Sequence, residues 1–227
     1  MHVGKGLHFI CVTGISASGK DYQSERLVAD VPTAVRLSPG DLMRKAQKSE
    51  NKNHGFLKPY IDLLKVGGIF PGEVTMSILA AEISDHVERG ADTFVLTGFP
   101  RNEGNLNTYD KYLLGIRKWF WPIYEDMVFL SIDEAEAFKR RDLRVSETLR
   151  RNEEVRADDL PGVMEKKLVV FKEETQPLIN RLVDSGRMLV VDARGSKDET
   201  QRELRRHLMW DSYHPPVEGS LPRQFRR

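Results

Sequence analysis

The stretch "LHFICVTGISASGKDYQ" (residues 7–23) decides how the rest of the chain is read. It opens with an apolar, β-rich run and passes into G-x-x-x-x-G-K from Gly14 to Lys20. A helical pattern leaves after Gly19. Strand, glycine loop and helix in this order form a phosphate-binding loop. Its backbone N–H groups and the helix N-terminus point at an anion, and Lys20 bridges the outer phosphates. A chance match in a Gly/Ser loop is the competing reading, and the flanking strand and helix argue against it. The residue after the lysine, where Ser or Thr is usual, is Asp21. That carboxylate is either a favourable charge in a helix's first turn or an oxygen ligand facing Mg²⁺.

Outward from the loop, further apolar runs stand at "TAVRLS" (33–38), "TFVLTGF" (93–99), "MVFLSID" (127–133) and "MLVVDA" (188–193). Near-continuous apolar runs suit strands buried on both faces of a parallel sheet. Helical patterns lie between them, at 23–31, 73–89 and 163–184, so the expectation is a three-layer α/β fold. Two stretches fit poorly and read as inserts at one edge of the sheet. One is 40–70, polar and ending in "KVGGIFPG"; the other is 144–160, rich in arginine and acids. The end, 209–227, is Pro-rich and reads as an extension.

Of the 227 residues, 40% are hydrophobic and 30% charged, which suits a globular chain. The net charge of +1 excludes a general attraction to nucleic acid or membrane, so anion binding must come from local clusters. Cys11 is the only cysteine, which excludes an internal disulfide and a thiolate zinc site. No apolar run reaches membrane-spanning length, no signal peptide is evident, and the default compartment is the cytoplasm.

Three further segments complete a pattern: "LSPGDLMR" (37–44), "LTGFPRNEGNL" (96–106), and "RADD" (156–159) before a helix carrying "KLVVFKEETQPLI" (167–179). With the loop, in this order and spacing, the chain resembles the nucleoside monophosphate kinases of the adenylate kinase and UMP/CMP kinase type, over residues 8–208. The resemblance implies a P-loop fold with a five-stranded parallel sheet, a monophosphate-binding arm at 40–70 and a short lid at 144–160. It implies transfer of the γ-phosphoryl group of Mg²⁺-ATP to a nucleoside monophosphate. Such transfer rests on positioning and positive charge around a loose transition state.

Site roles follow from the same resemblance. Ala17, Ser18, Gly19, Lys20, Asp21 and Tyr22 cradle the ATP phosphates. Arg44 and Arg101 grip the acceptor phosphate, which suits the bidentate fork of arginine. Arg140 and Arg144 cover the ATP base and reach its phosphates. Arg156 meets the transferring group, Asp158 and Asp159 orient the closed lid, and Gly195 turns against adenine. Ser38, Pro39, Ile69, Phe70 and Gly98 line the acceptor pocket, and Lys167 faces it from the helix after the lid.

The chain departs from the family pattern in several places. "GKGT" is "GKDY" here, and the Asp of "DGFPR", which holds Mg²⁺ through water, is Thr97. The expectation is that Asp21 restores the lost metal-facing oxygen. Lys167 replaces an arginine and loses its fork. The lid is longer than the short form, lacks the four-cysteine site of some long lids, and carries Arg150 and Arg151. The insert "RKWFWPIYED" (117–126) reads first as packing over the sheet edge. A protein-partner surface, here or on the 209–227 tail, is the second reading.

The base reader of the family falls on Asn105, where UMP/CMP kinases have Asn and adenylate kinases Gln. Pro39 stands where adenylate kinases place a hydroxyl. Both lean toward a pyrimidine acceptor. Three readings stay open: a kinase of CMP or UMP, an adenylate kinase tolerating Asn105, or a degraded kinase acting as a nucleotide-binding regulator or assembly factor.

Overall fold

The computed structural model describes residues 6–48, 60, 63, 68–155, 159–160 and 162–210. Much of the expected arm at 40–70 therefore lies outside the described residues, as do Arg156, Asp158 and the tail beyond residue 210.

The first apolar run forms β1 (Leu7–Thr13), with all seven residues buried. It sits at the centre of a five-stranded sheet. The others are β2 (Ala34–Leu37), β3 (Thr93–Thr97), β4 (Ile123–Ser131) and β5 (Leu189–Asp192), in the order β2-β3-β1-β4-β5. Every pairing is parallel; Val12, for example, stands beside Thr97 of β3 and Val128 of β4. Consecutive residues of β1 point to opposite faces and all are buried, so both faces of the sheet are covered. Phe9 stacks on Phe94 at 5.5 Å between centroids and meets the edges of Tyr109 and Tyr112.

The helices are α1 (Lys20–Val28), α2 (Pro39–Lys48), α3 (Gly72–Glu88), α4 (Glu103–Ile116), α5 (Glu134–Arg150), α6 (Val163–Val170), α7 (Gln176–Asp184) and α8 (Lys197–His207). Their starts are written in the sequence. The side chains of Asn102 and Asp133 cap α4 and α5, and Ser196 with Glu199 forms a reciprocal capping box on α8. Helices α3 and α4 cross closely at Gly72. A Cβ there would lie 2.2 Å from the Gly104 carbonyl oxygen and 2.4 Å from Thr108 Oγ1, so no larger residue fits.

Three expectations need correction. Strand β4 begins at Ile123, so the last four residues of the expected 117–126 insert are sheet, and Pro122 accepts a 2.9 Å bond from the Leu7 amide. Trp119 and Trp121 are 55% and 66% exposed, while Phe120 and Ile123 of the same stretch pack against the core. Helix α5 continues unbroken to Arg150, so the first part of the expected lid is helix. The chain reverses only after it, where the Arg151, Asn152 and Glu153 amides bond back to α5. The expected extension also begins inside the core: Trp210 is fully buried.

The chain leaves β1 toward β2 on one side of the sheet and leaves β3 toward β4 on the other. The carboxyl ends of β1 and β3 are therefore a topological switch point, the place in an open α/β sheet where ligands bind.

Candidate active site

Gly19 precedes α1 with φ of 92°, a left-handed conformation that glycine adopts at little cost, and no side chain caps the helix. The first amides of α1 are thus left for an anion. Lys20 Nζ lies 3.5 Å from the Ile15 carbonyl oxygen, inside the curl of the loop. Its stem crosses to the end of β3, where a Cβ on Gly98 would sit 3.6 Å from Lys20 Cε. Gly98 itself is fixed by its amide, which donates to the Val12 carbonyl at 2.8 Å. Ser18 is buried beneath the loop. Tyr22 faces elsewhere: its ring carries Lys197 Nζ at 4.7 Å and the Arg26 guanidinium at 5.7 Å.

One cleft at this point takes in Lys20, Arg44, Arg101 and Lys167, four cations from four separate elements. Ser38, Pro39, Ile69, Phe70, Gly98 and Asn105 also line it, as the sequence implied. Arg101 is held at both backbone ends. Its N–H donates to Asn105 Oδ1 at 3.2 Å, and its carbonyl accepts from Thr175 Oγ1 at 2.7 Å. Thr175 ends a π-helical turn, Phe171–Thr175, between α6 and α7. This wider turn brings Phe171 and Thr175 into the cleft wall together with Lys167. Asn105 is 2% exposed, and its Nδ2 donates to the Phe70 carbonyl at 3.1 Å. Its amide therefore braces the GFPR turn against the far wall of the cleft.

Asp21 has a different neighbour from the one expected. Its Oδ1 accepts from Arg36 Nη2 at 2.6 Å, while its Oδ2 lies 3.9 Å from Lys20 Nζ. The carboxylate proposed for a metal is thus already engaged by a guanidinium. Arg36 Nη1 also donates to Asp41 Oδ2 at 3.1 Å, and Asp41 Oδ1 accepts from Arg44 Nη2 at 2.5 Å. Burial alone would raise the Asp41 pKa. The hydrogen bonds and charges of Arg44 and Arg36 outweigh it and hold the carboxyl below its ordinary value.

On the other flank, Arg140 Nε pairs with Glu136 at 2.9 Å. Its Nη2 donates to the carbonyls of Ala193, Arg194 and Gly195 at 2.6, 3.3 and 3.3 Å, and its Nη1 reaches the Ser18 carbonyl at 3.4 Å. Here Arg140 clamps the turn at Gly195 to the loop. Arg144, expected over ATP, forks onto Asp159 instead. Sequence reasoning missed Arg36, Thr175 and Glu136. Only Arg36 left a signal, a charge inside the apolar run "TAVRLS".

A family model described as adenylate kinase matches residues 12–186, most of the chain and every described element of this cleft. The chain belongs to the adenylate kinase family. An adenylate kinase of Nitrobacter winogradskyi is 33% identical over 201 residues, covering 88% of this chain and 92% of that protein. A UMP-CMP kinase of Mus musculus is 28% identical over 199 residues, covering 86% and 93%. The protein is thus a nucleoside monophosphate kinase of the adenylate kinase family, and its relatives divide between two names, adenylate kinase and UMP-CMP kinase. Among the described residues no helix is long and apolar enough to cross a membrane.

The family generally uses Mg²⁺-ATP. Among the described residues no group of three or more His, Cys, Asp or Glu side chains could hold a metal by itself. Thr97, which stands where the family pattern has its metal-facing Asp, lines the cleft, and its Oγ1 is buried with no hydrogen-bond partner, as is the Oγ of Ser18 in the loop.

Proposed function

We propose that this kinase transfers the ATP γ-phosphoryl group to a pyrimidine nucleoside monophosphate, CMP or UMP. The observation that carries the choice is Asn105. Its short amide lines the cleft, pulled against the Phe70 carbonyl, and the neighbouring Pro39 offers no hydroxyl to a base. A site that pairs its polar groups with one base rejects another chiefly by leaving those groups unpaired. The second reading, an adenylate kinase, draws on the N. winogradskyi relative at 33% identity.

The ATP phosphates lie over the α1 N-terminus with Lys20 alongside. Arg44 and Arg101 hold the acceptor phosphate, and Lys167 faces the space between. An acceptor phosphate oxygen attacks the γ-phosphorus, the bond to the β,γ-bridging oxygen breaks, and ADP leaves. The four cations offset the charge spread over the transferring group, and the cleft walls hold the two oxygens in line. Mg²⁺ bound with ATP would supply further charge neutralisation there. A coupled assay of ADP formation with AMP, CMP, UMP, GMP and the deoxy forms tests the reading. The highest kcat/KM should fall on CMP or UMP. A preference for AMP establishes the second reading, and no turnover with any acceptor removes both.

A further inference from the structure

Between the two phosphate sites runs a chain of alternating charge: Lys20, Asp21, Arg36, Asp41, Arg44. Arg36 is its middle. It stands in β2 opposite Val95 of β3, and its side chain is only 17% exposed. It takes Asp21 with Nη2 and Asp41 with Nη1. Each of those carboxylates has its second oxygen toward a cation of the cleft, Asp21 toward Lys20 and Asp41 toward Arg44.

We propose that Arg36 is a positioning residue that lets both phosphate sites work, by holding two carboxylates that would otherwise compete with phosphate for Lys20 and Arg44. The proposal rests on the kinase reading above. An anion beside Lys20 subtracts from the charge that ATP meets there, and an anion beside Arg44 does the same for the acceptor. A guanidinium that binds both offsets their charge together and ties up one oxygen of each, while the other oxygen stays toward the cleft cation. Stability alone does not account for the arrangement. The Asp21 and Asp41 side chains are 44% and 45% exposed, where ion pairs contribute little. The Arg36 Nε is buried with no hydrogen-bond partner, which is a cost. Arg36 also links the sites: whatever draws Asp41 off Arg36 changes its hold on Asp21.

The test is calorimetry of ATP binding without acceptor, together with kcat and KM for each substrate. Arg36→Gln should weaken ATP binding roughly three- to tenfold, and more at low salt than at high. The KM for the acceptor should rise with it. Adding Asp21→Asn to Arg36→Gln should restore ATP affinity without restoring the acceptor KM, because Asp41 remains unheld. Arg36→Lys, which keeps charge but cannot hold both acids as a fork, should fall between. Asp21→Asn alone, with Arg36 intact, should bind ATP at least as tightly as the parent, and this holds even if the Arg36 variants fold poorly. Melting curves accompany every variant. If Arg36→Gln binds like the parent, if Asp21→Asn rescues nothing, or if Asp21→Asn alone weakens binding, the proposal is overturned while the kinase reading stands. A parent protein that neither binds ATP nor turns over overturns both.

Discussion

Arg144 and Asp159 close on each other as a fork, with Nε to Oδ2 at 2.8 Å and Nη2 to Oδ1 at 2.5 Å. Asp159 is almost fully buried, at 4% side-chain exposure, while Arg144 is 37% exposed. The pair fastens the segment after α5 back onto that helix. Charge-assisted bonds of this geometry are the strong ones, and a buried carboxylate stripped of its partner is costly. Replacing Arg144 by Lys, or Asp159 by Asn, should loosen residues 145–155 by about 1–2 kcal/mol. Hydrogen exchange reads this as roughly tenfold faster opening. Unchanged protection in both variants would show that other contacts hold the lid segment.

Lys20→Ala should reduce turnover by about a hundred- to a thousandfold or more, because it removes the charge inside the loop beside the β- and γ-phosphates. The fold should survive, since Lys20 lies in a solvent-open cleft rather than in the core. Circular dichroism and single-turnover kinetics on the same preparation check both halves. A well-folded variant with near-parental turnover would exclude this mechanism.

Asn105→Gln adds one methylene to a side chain already braced between the Phe70 carbonyl and the Arg101 amide. The longer amide cannot keep both bonds and must reach into the cleft. The ratio of kcat/KM for CMP over AMP should fall by about tenfold. A ratio that stays put, with a lower melting temperature, would make Asn105 a brace and not a selector.

The acid side of the stability profile should carry a signature of Asp41. Its folded-state pKa is depressed from an ordinary 3.8, the arginines overcoming burial. A depressed carboxylate stabilises the fold fully above the unfolded value and loses that contribution as pH falls through the folded one. The melting-temperature advantage of the parent over Asp41→Asn should be constant near neutral pH and shrink below about pH 4. A gap that widens on acidification would contradict the assigned sign.

The strands were legible because a parallel sheet buried on both faces demands nearly unbroken apolar runs. Strand β4 was the partial exception. Its first four residues, Ile123 to Asp126, follow two tryptophans and a proline and include two acids, so composition placed them in an insert. The start of the 144–160 stretch was read as an insert for a related reason: α5 buries only Ala137, so its charged end carries no apolar pattern that marks it as part of the helix. The cleft residues of the loop were legible through its motif, and Arg44, Arg101 and Lys167 through the resemblance to the kinase family. The partners of Asp21, Arg144 and Asn105 were not. Arg36 for Asp21, Phe70 for Asn105 and Asp159 for Arg144 each lie at least 15 positions away in the chain, and nothing local encodes that approach.

Trp210 is fully buried in the same apolar cluster as β1, although it stands beyond α8. On a ribosome, the first strand emerges some two hundred residues before the side chain that seals its core. Strand β5 is nearly as late and pairs with β4 alone. Once Ser131 has been made, the nascent chain carries its phosphate loop and central strands until Trp210 follows and the apolar cluster can close. Between the emergence of β4 and that of β5 the edge of β4 is open to other chains, so the yield of native protein depends on how promptly β5 follows.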